Sequence, residues 1–587
     1  MRLSVFVAAL ICATSLGAQQ VPPPDSARAD TSARARVVRD SVKLPLPLAD
    51  APASAGKPIR WSGDELFQNM ALNVAELIAR IPGAMMLRSG YMLAPQTITW
   101  FGEPGRVRVF MDGVELDALD RREGLVRDLG AIHLWDLEEV LAEPTPAELR
   151  VYLRTRRVTR TAPETRVDVL TGDQETNIYR GFYGRRYQSG LGFQFGFQQF
   201  TTQFGRSAGD GDALSLMGRV GFARHNWSGD IFGVRDRRTR NATAREDIPG
   251  GIPALTSANA LVTLRVAYNS PAGTAPWLQL IASRNGFHEE TPAPTTDARF
   301  GTFPADTVDT SAVRMQYVAT GGISRGGVKL TGLVRYKHFD SVDVFTPAVR
   351  ALWQGKAVGI SASVERNADD SLMRSDAELR LQPFQRLALS LAASARTPFD
   401  SAGGRSQLFG RAQAEISVGR WMFSGGAIYR DTVATPAPVV FARGIDVSLL
   451  PAEVGGIVEA AGPVYRAIRF SGQSTLWQSE RVYRPQAEIR ASLGLDTEWR
   501  KRFPHGDFTI RAYGIVEHRG ALLVPTADTP TLLPAATVFS SNLEIRIKTA
   551  TIMWQFRNLL GLPYQTIPGY SMPSRINLYG VRWNFFN

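Results

Sequence analysis

Cysteine is almost absent from this sequence of 587 residues, since Cys12 is the only one. It lies in an N-terminal stretch that has one basic residue, Arg2, an apolar run from Leu3 to Leu10, and small residues before Gln19. This pattern predicts a secretory signal peptide over residues 1–18. The mature chain would then hold no cysteine at all. That excludes disulfide bonds, thiolate metal sites and a thiol nucleophile.

Long hydrophobic runs are also missing. Beyond residue 18 no segment offers the roughly 18 consecutive apolar residues that mark a membrane-spanning helix. Because the bilayer core tolerates only helices and closed barrels, any insertion of this chain into a membrane is expected to use β-strands.

The sequence has little that would support catalysis or cofactor binding. It contains no phosphate-binding loop, and a Ser-His hydrolase with distant partners stays open as an alternative. The histidines are dispersed, without metal-ligand spacing. We therefore predict no enzyme activity, no catalytic residue, no cofactor and no metal. The six histidines are His133, His225, His288, His338, His505 and His518.

The net charge of +12 is carried mostly by arginine. These arginines recur at alternate positions of extended segments and do not gather in one patch, which argues against nucleic-acid binding. A charged lumen and contact with anionic lipid are the uses that this distribution favours.

A compact α/β unit is predicted over residues 59–157. Asn73 can cap a helix that runs to Arg80, with Glu76 placed as in a capping box and Pro82-Gly83 as a stop. Short strands follow, and Asp112-Gly113 is a strong hairpin signal. Residues 19–58, before this unit, are rich in Pro, Ala, Asp, Ser and Arg without apolar periodicity, which predicts a disordered arm.

From residue 158 onward the sequence changes to repeated segments of period two. In one of them Leu191, Phe193, Phe195 and Phe197 alternate with glycine and glutamine. Short links, such as Val418-Gly419-Arg420 and Gln382-Pro383, alternate with long polar ones. Apolar and polar faces would also suit a sandwich in a soluble exported protein, but the asymmetry of the links is that of an outer-membrane barrel. Counting strands with this rule gives about 22. A barrel of that size needs a plug, and residues 59–157 have a suitable length.

The last strand sets the orientation of the barrel. Its aromatic-edged face is predicted to contact outer-membrane lipid, whereas Arg582 and Asn584 face the lumen. Counting turns from this strand places the C-terminus in the periplasm. The residues predicted to face lipid are Tyr579, Val581, Trp583 and Phe585.

Several motifs together resemble the TonB-dependent outer-membrane receptors. Asn73 to Gly83 is similar to the opening of the family's plug, Arg106 to Leu116 to its strand-Asp-Gly-Val segment, and Asp136 to Val140 to the acidic strand that follows. Phe556 to Leu560 and Pro568 to Asn587 resemble its last hairpin. The chain departs from the family where Ala142-Glu143-Pro144-Thr145-Pro146 replaces a glycine-rich stretch, in its modest loops, and in ending on Asn587 after two phenylalanines.

The resemblance implies a monomeric transporter in the outer membrane of a Gram-negative-type bacterium. It would take up a scarce, unidentified small solute while the plug gates the barrel. The partner TonB would bind a short box in the arm, for which Asp40, Ser41, Val42, Lys43 and Leu44 form the comparable segment, because an extended stretch can add a strand to a partner's sheet. An ordinary linker is the other interpretation of that segment. A plugged barrel that serves as a gated pore or structural protein, without energised transport, is the alternative function.

Overall fold

A computed structural model of the chain shows its architecture. It describes residues 54–56, 58–90, 92–117, 127–203, 210–241, 243–244, 251–252, 254–290, 296–297, 301–302, 309–339, 342–367, 371–399, 405–435, 448–525 and 530–586. The predicted signal peptide, nearly all of the predicted arm and the segment Asp40 to Leu44 lie outside these residues. None of the helices in the described part has the length and apolar character needed to cross a membrane.

The N-terminal unit is built on a mixed sheet of five strands. Three of its neighbouring pairs are antiparallel, and one pair, Val107–Met111 with Leu149–Thr155, is parallel. A separate hairpin joins Ala84–Arg88 to Gln96–Trp100. The sheet order is Ile59–Ser62, Leu137–Pro144, Leu149–Thr155, Val107–Met111, Val114–Glu115. In the described part of the unit, the helical elements are the 3-10 turns Gly63–Met70 and Leu129–Ala131 and the α-helix Val74–Ile78.

Local chemistry explains where these elements begin and end. The Asn73 side chain accepts a hydrogen bond from the backbone N–H of Glu76 at 3.0 Å, as expected of an N-cap. The helix is shorter than the predicted segment and ends at Ile78, because the chain must then turn toward Gly83. At the predicted hairpin, Asp112 and Gly113 both have positive φ, 50° and 92°, the conformation of a type I′ turn.

A closed antiparallel barrel of 22 strands follows, which confirms the predicted fold class and strand number. The last strand pairs with the first, so that Arg582 lies opposite Asp168 and no free edge is left. The strands are Glu164–Gly172, Thr176–Arg186, Gly192–Thr202, Gly211–Arg224, Trp227–Arg240, Leu255–Tyr268, Trp277–Glu290, Asp309–Arg325, Val328–Phe339, Val342–Gln354, Val358–Asn367, Leu372–Phe384, Leu387–Pro398, Gln407–Val418, Trp421–Arg430, Glu453–Tyr465, Ile468–Trp477, Ala487–Glu498, Phe508–Arg519, Ala536–Ile547, Ala550–Arg557 and Ile576–Phe586.

Side chains alternate between the two faces of the barrel wall as the period-two pattern predicted. In Gly192–Thr202, Phe193, Phe195 and Phe197 are exposed on the outside, whereas Gln194 and Gln198 are buried against the plug side. An apolar outside and a polar inside are the pattern of a barrel whose outer wall meets lipid.

The connections at one end are short, and those at the other end are longer. We call these the turn end and the loop end of the barrel. One predicted turn is wrong: the strand Leu372–Phe384 runs through Gln382 and Pro383, and the reversal comes after Phe384. The alternation of apolar and polar residues does not locate this end of the strand, because the pairing shifts there by a bulge between Leu381 and Phe384.

The N-terminal unit is a plug that fills the lumen. One apolar cluster contains residues of the unit, such as Trp135 and Leu137, together with inward residues of the wall, such as Phe182 and Phe232. The indole N–H of Trp135 donates to the carbonyl of Gly181 in the wall at 3.1 Å. Sheet and wall are therefore packed as one body. The sheet spans residues 59–155 and the barrel begins at Glu164, while the exact domain boundary at residues 157 and 158 stays a prediction.

Candidate functional site

Acidic side chains of the plug lie opposite arginines of the wall around much of the lumen. The plug contributes Glu103, whose carboxylate accepts from Nε of Arg430 at 2.8 Å and from Arg484 at 3.1 Å. All three side chains are essentially inaccessible to solvent. Buried charges are tolerated only when they are paired and hydrogen-bonded, so these contacts fix the plug to the wall.

The hairpin turn of the plug carries the next contact. Asp112 accepts a hydrogen bond from Arg219 at 2.9 Å and lies 3.6 Å from Arg265. The wall strands of these two arginines are separated by the strand Trp227–Arg240. Burial alone would raise the pKa of Asp112, but the attraction of Arg157, Arg265 and Arg219 outweighs it and lowers the pKa to about 2. The turn that the sequence predicted as a hairpin is thus also an attachment point.

A larger network occupies the far side of the sheet. Glu148 lies 3.4 Å from Arg374 and 3.5 Å from Arg396 of the wall, and Arg150 of the plug lies 2.5 Å from Asp376 of the wall. Although burial opposes ionisation of Glu148, these arginines hold its pKa well below the usual range. Each contact joins opposite charges, so the network links plug and wall although Arg374 and Arg396 lie opposite each other on neighbouring strands.

Glu76 connects the plug helix to the loop end of the last hairpin. Its carboxylate binds Arg557 through both oxygens, at 2.6 and 2.9 Å, and Arg88 at 2.9 Å. Burial would raise the pKa of Glu76, but Arg557 and Arg88 lower it to about 2. The side chain also accepts from the backbone N–H of Leu72, not from Asn73 as a capping box would require.

A cavity of about 200 Å³ lies next to this contact, between the plug and the loop end of the wall. We call it the arginine cavity. Five arginines line it against three glutamates, and aliphatic carbons of Met85, Ile515 and Met572 complete its walls. In Arg519, which is largely buried, Nη2 donates to the Pro534 carbonyl at 3.0 Å, while Nε and Nη1 have no partner among the described residues. The arginines are Arg80, Arg88, Arg490, Arg519 and Arg557, and the glutamates are Glu76, Glu488 and Glu517.

A second cavity, of about 170 Å³, lies across the lumen, also toward the loop end. Its lining mixes charges of both signs, with Arg238 bound to Asp128 at 2.7 Å. Burial raises the pKa of Asp136, on its plug side, to about 7, with Asp236 adding repulsion. Burial lowers the pKa of His133 to about 3, so that this imidazole is neutral. Five arginines line this cavity against four carboxylates, so its excess of positive charge is smaller than that of the arginine cavity.

Within the described ranges, three or more His, Cys, Asp or Glu side chains do not converge anywhere in a way that could hold a metal ion.

The residues predicted to face lipid lie on the last strand of the barrel. Tyr579, Val581 and Trp583 are exposed on the outer face, and the ring of Phe585 stacks on that of Trp583 with centroids 4.4 Å apart. Arg582 points inward and donates to Asp168 at 3.2 Å. That these four side chains contact lipid, and that residues 40–44 bind TonB, stay predictions.

Sequence reasoning missed the ionic contacts between plug and wall. The signal was present as arginines at inward positions of several wall strands, for example Arg219, Arg265 and Arg335. What the sequence did not show was which plug carboxylate meets which arginine, because the partners are separated by up to several hundred residues.

Solved structures with the same architecture were found by comparison. The siderophore receptor PirA from Acinetobacter baumannii superimposes with a TM-score of 0.68 at 9% identity, over 90% of this chain and 98% of that one. A double mutant of the ferric enterobactin receptor PfeA from Pseudomonas aeruginosa superimposes with a TM-score of 0.69 at 9% identity, over 93% of this chain and 100% of that one. The FrpB iron transporter from Neisseria meningitidis has a TM-score of 0.68 at 10% identity, over 91% of this chain and 100% of that one. This chain has their fold.

The likeness concerns the fold alone, since so few residues are identical. No family model matches the sequence, and no curated protein matches it. The plug, the 22 strands and the closure of the barrel are therefore shared with these receptors, whereas the residues of the arginine cavity must be interpreted from this chain itself.

Proposed function

We propose that the protein is a TonB-dependent receptor of the outer membrane that takes up a scarce, anionic small solute. The observation that carries this proposal is the arginine cavity at the loop end of a plugged barrel. Its cations outnumber its carboxylates, and Arg519 still has two nitrogens without a partner in the described part of the chain. A planar guanidinium with free donors binds carboxylate, phosphate or catecholate oxygens well.

The plug gives this binding site a route to uptake. Glu76 lies at the edge of the arginine cavity and on the short plug helix, and it holds both Arg557 and Arg88. An anion that competes for these arginines weakens the attachment of the helix to the wall. The arm would then transmit the pull of TonB, with Asp40 to Leu44 as the segment that adds a strand to the partner.

The fold neighbours support the same substrate class. Their names describe receptors for a siderophore and for ferric enterobactin, and an iron transporter. A ferric chelate is accordingly the first solute to test.

One observation favours the alternative of a plugged barrel without energised transport. Plug and wall are joined by buried ion pairs at several separate points, including Glu103, Asp112 and Glu148, and such pairs resist displacement. A plug held this firmly would suit a gated pore or a structural protein.

Uptake of radiolabelled ferric enterobactin by whole cells distinguishes these functions. We expect uptake by the wild type, and its loss when residues 19–53 are deleted or the proton gradient is dissipated. Uptake that survives both treatments would establish the pore alternative. If ferric enterobactin is not taken up, ligands retained by the purified protein are identified by mass spectrometry and used in the same assay.

Arg519→Gln tests the arginine cavity itself. Removal of a charge-assisted contact should weaken binding roughly tenfold, the equivalent of about 1.4 kcal/mol. Arg224→Gln is the matched control, because Arg224 is exposed on the outer wall near the turn end. Equal binding by both variants would show that the solute does not bind in the arginine cavity.

A further inference from the structure

Three arginines stand on the outer wall of the barrel near its loop end. Arg235 and Arg237 are exposed on the strand Trp227–Arg240, and Arg284 is exposed on the strand Trp277–Glu290. No salt bridge or hydrogen bond joins any of the three side chains to another described residue. By contrast, the inward neighbours Arg238 and Arg265 are paired with Asp128 and Asp230.

Strand register brings these arginines together. Arg237 lies opposite Ala258, which lies opposite His288; Arg235 lies opposite Ala260, which lies opposite Gly286. Arg284 follows two residues below Gly286 on the same face. Since adjacent strands are about 4.8 Å apart, the two sides of this group are separated by roughly 10 Å.

Small residues form the floor between the arginines. Ala258, Ala260 and Gly286 leave a shallow recess in the outer wall, flanked by Arg235 and Arg237 on one side and by the strand of Arg284 on the other. A Cβ added at Gly286 would meet no atom closer than the carbonyl oxygen of Ala260, at 4.0 Å. The recess is therefore open. We call the three arginines and this floor the outer basic patch.

The outer basic patch lies at the loop end of the apolar band. Trp227, at the turn end of its strand, is exposed and packs on Tyr268 with ring centroids 4.9 Å apart, as in an aromatic girdle. Eight to ten residues separate Trp227 from Arg235 and Arg237. With about 3.4 Å per residue and a tilt of about 40°, the two arginines stand roughly 20 to 26 Å above Trp227. That distance matches the roughly 25 Å height of the band.

The outer wall below the patch is apolar. Ile231, Val262, Leu264 and Leu280 are all about half exposed there. Two carboxylates, those of Asp212 and Glu290, are exposed one step closer to the loops, and neither forms an ion pair with the three arginines. A cluster of cations at the border between an apolar band and water, with no counter-ion bound to it among the described residues, calls for an anion at that depth.

We propose that the outer basic patch binds the phosphorylated head group of a glycolipid in the membrane leaflet at the loop end. Arginine binds phosphate oxygens through two parallel N–H donors, and three guanidinium groups around a recess can contact more than one phosphate. The acyl chains would lie along Ile231, Val262 and Leu280. This inference rests on the membrane orientation in the proposed function, but not on the solute or on TonB.

The experiment titrates the purified, detergent-solubilised full chain with lipid A and measures bound lipid by native mass spectrometry. We expect Arg235→Gln/Arg237→Gln to bind lipid A roughly tenfold more weakly than the wild type, as for the loss of charge-assisted contacts. Arg224→Gln removes the same charge from the outer wall near the turn end, and should bind like the wild type.

A second pair of variants leaves every charge in place. Gly286→Leu fills the recess and should also weaken binding, whereas Gly425→Leu, where a Cβ would meet no atom within 4 Å on another part of the wall, should not. Heat-modifiable gel mobility checks the fold of each protein. If the double arginine variant does not fold, Arg284→Gln and Gly286→Leu decide the question.

Two further probes identify the source of the phosphate. Dephosphorylated lipid A should bind weakly, and inorganic phosphate should not displace lipid A at equal concentration. Equal binding of dephosphorylated lipid A, equal loss in Arg224→Gln, or displacement by inorganic phosphate would each overturn the proposal. If the wild type takes up no solute but binds lipid A as expected, only the proposed function is contradicted.

Discussion

The carboxylate of Glu103 in the plug lies 2.8 Å from Nε of Arg430 in the barrel wall, and both side chains are almost completely buried. Arg484, in the connection between the strands Ile468–Trp477 and Ala487–Glu498, binds the same carboxylate at 3.1 Å. One plug residue thereby contacts a wall strand and a connection of the barrel that is distant from it in sequence. The contact shows how the lumen is closed by charge pairing in addition to apolar packing.

Glu103→Gln should loosen the plug. The variant leaves Arg430 and Arg484 buried without their anion, and breaking such a pair costs roughly 3 to 5 kcal/mol. Hydrogen–deuterium exchange of the plug strands in the folded protein measures this loss. Glu498→Gln, which breaks an exposed pair with Arg500, is the control and should leave exchange unchanged. Slow exchange in both variants would show that Glu103 does not hold the plug.

Asp136→Asn should change how plug stability depends on pH. Burial raises the pKa of Asp136 in the folded protein to about 7 from an ordinary 3.8, so folding favours the protonated form. Its contribution to stability is complete below about pH 4 and is lost as the pH rises to about 7. The asparagine variant does not titrate, and should therefore be more stable than the wild type at pH 8 but not at pH 4.

Thermal unfolding at both pH values measures this difference. Asp64→Asn, at an exposed plug carboxylate, is the matched control for removal of one negative charge. A constant difference between Asp136→Asn and wild type across this pH range would contradict the prediction.

Gly83→Ala should destabilise the turn after the plug helix more than Gly63→Ala does. Gly83 has φ of 86°, and an added Cβ would lie 2.1 Å from Cε1 of the buried Phe101 ring. Gly63 also has positive φ, but a Cβ there would meet no atom within 4 Å. A left-handed alanine costs about 1 to 2 kcal/mol by itself, and only Gly83→Ala adds a clash. Amide hydrogen exchange rates of residues 79–101 measure this difference. Equal increases in Gly83→Ala and Gly63→Ala would argue against the clash.

Val581→Arg tests whether the last strand faces lipid. Val581 is exposed on the outer wall, and an arginine near the bilayer midplane costs roughly 2 to 4 kcal/mol. Asn584→Arg is the control on the inward face of the same strand. Urea titration of the barrel refolded into lipid vesicles should show reduced stability for Val581→Arg alone. Similar midpoints for both variants would place this part of the wall outside the bilayer.

The sequence by itself determined the barrel, because its strands are local patterns. Alternation of Phe193, Phe195 and Phe197 with polar residues marks a two-faced strand wherever it occurs, and the unequal links fix which ends lie on the same side. The same is true of Asp112-Gly113, since a hairpin turn depends only on the conformations of its own residues. A bulge shifts the register near Pro383. The local pattern therefore predicted a turn at Gln382 and Pro383, whereas the strand continues to Phe384.

Only the tertiary structure decided which charges meet. Glu103 pairs with Arg430 and Glu76 with Arg557, across separations of 327 and 481 residues, and the sequence around each partner carries no trace of the other. The same holds for the outer basic patch, whose arginines converge because strand register sets Arg235 and Arg237 beside Ala258, Ala260 and Gly286. Periodicity depends on residues that are neighbours in the chain. Ion pairs and cavities depend on how the plug is packed inside the closed barrel.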